Sequence, residues 1–113
     1  MASKGLFPPT RADLLALMST YYTGATNGAS ASLLALSLQC DERAIRKLVT
    51  DLRAEGIAVC GHPKTGYFIA ATPAELETTC QFLRSRAMHS LLLESKLRHV
   101  PLPELLGQMR LKT

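Results

Sequence analysis

The sequence predicts a mostly helical fold with one small β-hairpin and a long C-terminal helix. Of its 113 residues, 47% are hydrophobic, but only three tyrosines and three phenylalanines are aromatic, so a core of Leu, Ile, Val, Ala and Met is expected. These residues, β-branched Ile and Val excepted, favour helices. Apolar residues recur every three or four positions between residues 41 and 55, and two short apolar runs separated by a Gly- and Pro-containing turn follow them. A chain of this length suits a single domain.

The chain is expected to open with a flexible arm over residues 1–9, because this segment contains a glycine and a pair of prolines. The first helix should begin after Thr10, which can cap it together with Asp13 three positions later. Its buried side is predicted to carry Leu14, Leu17, Met18 and Tyr21.

A second, short helix is predicted after the turn-forming segment 23–29. Ser30 or Ser32 can cap it, because a serine hydroxyl accepts a hydrogen bond from a backbone N–H in the first helical turn. The leucines that we expect on its buried face are Leu33, Leu34, Leu36 and Leu38. A tight turn through Gln39 and Cys40 leads to the next helix.

The third helix, Asp41 to Glu55, is the most strongly amphipathic segment of the chain. Its apolar residues fall on one face at helical spacing, Ile45, Leu48, Val49 and Leu52. Another face gathers Arg43, Arg46, Lys47 and Thr50, and Arg53 extends it by one turn. Asp41 is a suitable N-cap and Gly56 a suitable C-terminal stop.

A β-hairpin is predicted immediately after this helix. Residues 57–60 and 67–70 are apolar and strand-like, and the segment between them, GHPKTG, is rich in turn-forming residues. Its tip would present His62, Lys64 and Thr65.

The segment from the second helix through the hairpin resembles the winged helix-turn-helix DNA-binding domain of the biotin-repressor type. The resemblance rests on ASASLLALSLQC, DERAIRKLVTDLRAEGI and HPKTGYFIA, which match a short capped helix, a recognition helix with Ala-Ile-x-Lys and Leu-Arg, and a wing closing on Gly-Tyr-x-apolar. The resemblance covers about half of the chain and lies within a predicted DNA-binding domain at residues 10–71. It departs from the usual pattern in one respect, because the recognition helix opens with Asp41 rather than Ser. The chain has no room for a ligase domain, so biotin chemistry is not implied.

The resemblance implies how double-stranded DNA would be contacted. The recognition helix would enter the major groove, where Arg43, Arg46 and Lys47, with Thr50 as a smaller partner, can reach bases or phosphates. The capped start of the second helix, at Ser30 or Ser32, would face a phosphate. His62, Lys64 and Thr65 on the wing would lie over the backbone or the adjacent minor groove.

A long C-terminal helix is predicted to begin at Thr72-Pro73-Ala74-Glu75 and to run without a breaker to about His99. Its apolar residues spread over both sides, which favours a dimerisation region at 72–113. A bend near His89-Ser90 that folds the helix back on itself is the alternative. One last short turn of helix is expected within residues 103–109. The residues expected at the dimer contact are Leu83, Ala87, Leu91, Leu92, Leu105 and Leu106.

Charge and cysteine content narrow the classes of function. The net charge of +4 favours a polyanionic partner, although residues 29–56 balance to zero. Three cysteines without a CxxC pair indicate reduced thiols and a cytoplasmic protein, and no ligand spacing points to a metal or other cofactor. No signal peptide or apolar run long enough to span a membrane is evident. Catalytic motifs are missing as well, so we expect no enzyme.

The leading hypothesis is therefore a homodimeric, sequence-specific DNA-binding transcriptional regulator, such as a small bacterial or phage repressor. A replication, partition or nucleoid-type DNA-binding protein, and a winged helix used as a protein-interaction module, are the alternatives.

Overall fold

The computed structural model describes residues 7–112 and confirms the predicted fold class, a helix-rich chain with a small two-stranded antiparallel sheet. Most of the predicted arm, residues 1–6, lies outside the described residues. The chain divides after Thr79 into two compact units. The elements are α1 (Arg11–Tyr21), a 3-10 helix (Ala25–Asn27), α2 (Ala31–Leu38), α3 (Glu42–Ala54), β1 (Val59–His62), β2 (Gly66–Ile69), α4 (Pro73–Arg98) and α5 (Leu102–Lys112).

The core of the first unit lies between α1, α2, α3 and β1. Helix α3 supplies three fully buried side chains, and each other element supplies one or two. These core residues are Leu14, Met18, Leu34, Ile45, Val49, Leu52 and Val59. On the surface, Arg11 Nη1 lies 2.6 Å from Glu55 Oε1 and so connects the start of α1 to the end of α3. The predicted buried face of α3 is confirmed.

Two predicted buried faces were partly wrong. Tyr21 is 67% exposed, because the last turn of α1 runs past the core, whereas the neighbouring Tyr22 is half-buried against it. On α2 the core takes Leu34 and Ala35, which leaves Leu36 78% exposed and Leu33 43% exposed. The helix is apolar on nearly all sides, so the pattern alone did not identify the buried one.

The helix starts follow the predicted capping. Thr10 and Asp13 form a reciprocal capping box on α1. Ser30, not Ser32, caps α2, since its hydroxyl accepts from the backbone N–H of Leu33 at 3.1 Å. Asp41 caps α3 by accepting from the backbone N–H of Ala44 at 2.8 Å, so its carboxylate is held by the helix itself. Gln39 adopts a left-handed conformation, φ 56°, and turns the chain from α2 into α3.

The hairpin forms two residues later in its first strand than predicted. Ile57 still donates its backbone N–H to Leu52 O at the end of α3, so pairing begins only at Val59, opposite Ile69. Single bridges join β2 to the segment before α2, between Ala29 and Tyr67 and between Thr23 and Ile69. These two bridges hold the segment beside β2, outside the two-stranded sheet.

The first turns of α4 belong to the same unit as the hairpin. Glu75 accepts from the backbone N–H groups of Ala25 and Ala71, both at 2.8 Å, and these bonds, the one from Ala25 first, lower the pKa of its carboxyl group. Thr72 caps the helix through the N–H of Glu75. Farther along α4, Thr79 Oγ1 accepts from Gly61 N of β1 at 3.4 Å.

In the second unit, α4 continues to Arg98 without interruption, so the alternative of a bend near His89-Ser90 was wrong. His99 then takes a left-handed conformation, φ 55°, and Val100 N donates to Ser95 O, which ends the helix before Pro101. The helix that follows, α5, has 11 residues and is longer than the single turn predicted. Pro103 does not prevent it because it lies in the first turn, where a helix needs no N–H donor.

Candidate nucleic-acid interface

The four polar residues predicted to contact DNA from α3 lie on its exposed surface. Arg43, Arg46, Lys47 and Thr50 are all exposed, whereas Ile45 and Val49 between them are buried. The helix is fixed from behind by its apolar face, so its polar face is presented on a rigid element. We call these four residues the α3 basic face.

Two of its cations take part in ion pairs along the helix. Arg46 Nη2 lies 3.2 Å from Glu42 Oε1, and Lys47 Nζ lies 3.1 Å from Asp51 Oδ2. The side chains of the two cations remain 61% and 76% exposed, and exposed pairs of this kind contribute only about 0–1 kcal/mol. Lys47 can therefore exchange its partner for a phosphate or a base at small cost, and Arg46 has further N–H donors that are available while it keeps its contact with Glu42. Among the described residues, Arg43 forms no ion pair.

Glu42 is the residue of this surface that the sequence reasoning missed. Its Oε2 accepts a hydrogen bond from Ser32 Oγ at 3.1 Å, and its Oε1 accepts from Arg46. The carboxylate thus connects α2 to α3 across the turn. The spacing of Glu42 and Arg46, four residues apart on one helix, was a signal that could have found the pair, but the contact with Ser32 was not visible in the sequence.

The two serines predicted to face a phosphate have different roles in the fold. The Ser30 hydroxyl accepts from Leu33 N, which is the ordinary role of an N-cap. Ser32 donates to Glu42 and so lies beside the α3 basic face.

The hairpin turn is anchored to the segment before α2. Tyr67 exchanges two backbone hydrogen bonds with Ala29, at 2.7 and 2.8 Å, and the Thr65 carbonyl lies directly against Gly28. Within the turn, His62 Nδ1 accepts from the backbone N–H of Lys64 at 3.0 Å. Lys64 itself is exposed, whereas the Thr65 hydroxyl oxygen is buried and makes no hydrogen bond. Lys64 is therefore the best placed of the three turn residues to meet a polyanion.

Arg53 does not extend the α3 basic face as its position suggested. Its Nε donates to the carbonyl of Val59 at 2.8 Å, so the guanidinium holds the end of α3 to β1. This contact fixes the hairpin relative to α3 and is expected to stabilise the surface that both elements form.

The residues predicted at a dimer contact are mostly exposed in the second unit. Leu83, Leu92 and Leu106 are 38–44% exposed, Ala87 is exposed and Leu91 is half-buried. Leu105 is different, because it is buried at 3% exposure and belongs to the interior of the chain. Other large apolar side chains in this unit are also exposed, namely Phe82, Leu93, Leu97 and Met109.

In the part of the chain that the structure describes, no helix is both long and apolar enough to cross a membrane. Nor do His, Cys, Asp and Glu side chains in residues 7–112 gather in groups of three or more that suit a metal ion. Comparison of the chain with protein-family models, with curated proteins and with solved structures gave no significant match.

Proposed function

We propose that this protein binds double-stranded DNA in the manner of a winged helix-turn-helix domain of the biotin-repressor type. The observation that carries the proposal is the α3 basic face, which is exposed on a helix whose opposite side is locked into the core. A three-residue turn joins this helix to a short helix before it, and a hairpin follows it. An α-helix with its cations directed outward fits the width of the major groove.

In this binding mode, α3 lies in the major groove and the hairpin turn lies over the neighbouring backbone. Arg46 keeps N–H donors beyond the one that contacts Glu42 and can donate to guanine O6 and N7. Arg43 and Lys47 reach phosphates or bases beside it. Lys64, at the tip of the hairpin, neutralises a further phosphate.

The second unit supports the finer proposal that the protein acts as a homodimer. Seven large apolar side chains among its described residues are exposed, and a second copy of the chain could cover them. Two copies of α3 would then read half-sites about 34 Å apart. A cytoplasmic transcriptional regulator, most simply a repressor, would use DNA in this way.

The test is selection of duplexes from a random pool, followed by affinity measurement with Arg46→Ala and a matched control. Arg98→Ala is that control, because Arg98 also pairs with a glutamate four residues earlier and its side chain is 62% exposed, against 61% for Arg46. We expect Arg46→Ala to weaken binding about tenfold to a hundredfold, and Arg98→Ala to change it little.

Salt dependence gives a second readout of the same proposal. The logarithm of the binding constant should fall linearly with the logarithm of salt concentration, with a slope that becomes shallower by about 1 in Lys64→Ala if this lysine neutralises one phosphate. Equal losses in Arg46→Ala and Arg98→Ala, with both variants folded by circular dichroism, would contradict the proposal.

The dimer is tested separately by sedimentation of the free protein. We expect Leu92→Glu, which places a charge among exposed apolar residues, to give a monomer that binds a palindromic duplex more weakly than the wild type does. A wild-type protein that remains a monomer at the concentrations where it binds DNA would refute this part of the proposal. Mapping of bound sites in a genome would then separate promoter regulation from a replication or nucleoid role.

A protein-interaction module is the second candidate, and the exposed face of α2 favours it. Leu36 is 78% exposed and Leu33, three residues earlier on the same helix, is 43% exposed. Neither leucine is among the residues proposed to contact DNA. An affinity for duplexes that is weak and insensitive to salt would favour this candidate over DNA binding.

A further inference from the structure

Glu42 is an acidic residue in a position where a DNA-binding surface ordinarily carries neutral or positive groups. It is the first residue of α3, its side chain is 47% exposed, and it lies one turn before Arg46 on the α3 basic face. Because phosphates repel a carboxylate, Glu42 must weaken binding to any duplex that offers it no compensating partner.

Both carboxylate oxygens of Glu42 are held in place. Oε1 accepts from Arg46, on the same helix, and Oε2 accepts from Ser32, on α2. Contacts from two different elements limit the rotation of the side chain away from the surface. The hydrogen bond between Arg46 and Glu42 also orients the Arg46 guanidinium, so these two side chains form one donor-and-acceptor group.

The chemistry of the major groove defines what such a group can recognise. A carboxylate accepts from the N4 amino group of cytosine, and a guanidinium donates to O6 and N7 of guanine. Neighbouring cytosine and guanine bases supply both a donor for Glu42 and two acceptors for Arg46. No other pair of neighbouring bases matches the two side chains as completely. A–T pairs offer the adenine N6 donor but fewer acceptors for arginine.

We propose that Glu42 is a specificity-determining residue, whose fixed carboxylate disfavours unrelated DNA and, with Arg46, selects a site containing neighbouring cytosine and guanine. This inference rests on the proposed DNA-binding function and adds the kind of sequence that the surface reads. It also assigns Ser32 as a positioning residue that acts through Glu42.

The experiment compares Glu42→Gln with the wild type on the best duplex from the random-pool selection and on a scrambled duplex of the same composition. Glutamine keeps the size of the side chain and can still bond to Ser32 and Arg46, so the fold should be retained, which thermal unfolding checks. We expect tighter binding to the scrambled duplex, an advantage that shrinks as salt rises, and a ratio of the two affinities reduced about tenfold.

Glu94→Gln is the matched control, because Glu94 pairs with Arg98 at the same helical spacing. This substitution also removes one negative charge, as Glu42→Gln does. We expect it to leave the ratio unchanged. A pool selected with Glu42→Gln should, in addition, lose its preference for cytosine at one position while it keeps the guanine preference that Arg46 supplies.

The outcomes separate this inference from the function on which it rests. A wild-type protein that binds no duplex would overturn both. A wild-type protein that binds its selected duplex, with the same affinity ratio in Glu42→Gln, would overturn the inference alone. Equal changes in Glu42→Gln and Glu94→Gln would also overturn it, because they would reflect net charge and not the position of Glu42.

Discussion

The anchoring of the hairpin turn predicts how three glycines differ in their tolerance of a side chain. Gly56, at the end of α3, has φ +85° and nothing within 4 Å of the position of a Cβ. Gly28 has an ordinary φ of −63°, but an added Cβ would lie 2.7 Å from the Thr65 carbonyl carbon. Gly66 combines both constraints, since it has φ +79° and its Cβ would lie 2.6 Å from the Ala29 carbonyl carbon.

These geometries predict that Gly56→Ala is the most stable of the three alanine variants. Gly56→Ala meets only the cost of a left-handed backbone, about 1 kcal/mol. Gly28→Ala meets only overlap with a neighbouring backbone, but its Cβ would lie closer to the Thr65 carbonyl oxygen than a Cβ at Gly66 would lie to any atom, so it should lose about 3–5 kcal/mol. Gly66→Ala meets both and should lose about 3–5 kcal/mol, because relief requires the breaking of the paired hydrogen bonds between Ala29 and Tyr67.

The free energy of unfolding is measured for each variant by urea titration followed by circular dichroism, with the m-value checked against that of the wild type. Gly56→Ala serves as the control for the backbone conformation alone. A Gly66→Ala variant that is no less stable than Gly56→Ala would show that the hairpin turn does not contact the segment before α2 in solution. The reasoning about the anchored hairpin would then be refuted.

Three further predictions concern Glu75, the thiols of Cys60 and Cys80, and Arg53. The hydrogen bonds that lower the pKa of Glu75 contribute stability that is fully present above the unfolded-state pKa and is lost as pH falls through the lower folded-state pKa. Urea titrations at decreasing pH should therefore show a smaller loss of stability for Glu75→Gln than for the wild type, and equal losses would contradict this. A thiol reagent should modify the exposed Cys80 much faster than the buried Cys60 in the native protein, and similar rates by mass spectrometry would show that the hairpin opens readily. Arg53→Ala should lose about 1.5–3 kcal/mol with its hydrogen bond to the Val59 carbonyl, and Arg53→Lys, which lacks Nε, should not restore the loss in the same titration; full stability in the lysine variant would refute the role of Nε.

The features that could be predicted from the sequence are those that depend on near neighbours in the chain. The caps at Thr10 and Asp41 and the stop at Gly56 follow from side chains that satisfy backbone groups within three or four residues. The two faces of α3 follow in the same way from a period of 3.6 residues. The α3 basic face therefore follows from the spacing of its residues along the chain.

Predictions failed where contacts with distant parts of the chain decided which side chain is buried or hydrogen-bonded. Leu33, Leu34 and Leu36 occupy three sides of α2, and only packing against α1 and α3 selects Leu34 for the core. Arg53 has the spacing of a surface cation, yet the carbonyl of Val59 lies within its reach and holds it. Neither outcome is encoded in local spacing, because each depends on which distant group comes near.

The sequence by itself determined the order of the predicted helices and strands, the capped starts of α1 to α4 and the polar face of α3, since these arise from interactions over one or two helical turns. Tertiary structure alone decided that Ser32 meets Glu42, that the Thr65 carbonyl closes on Gly28, and that Leu105 is buried while Leu106 is exposed. The physical reason is that these contacts join segments whose separation in space is set by packing of the core, and no pattern of neighbouring residues carries that distance.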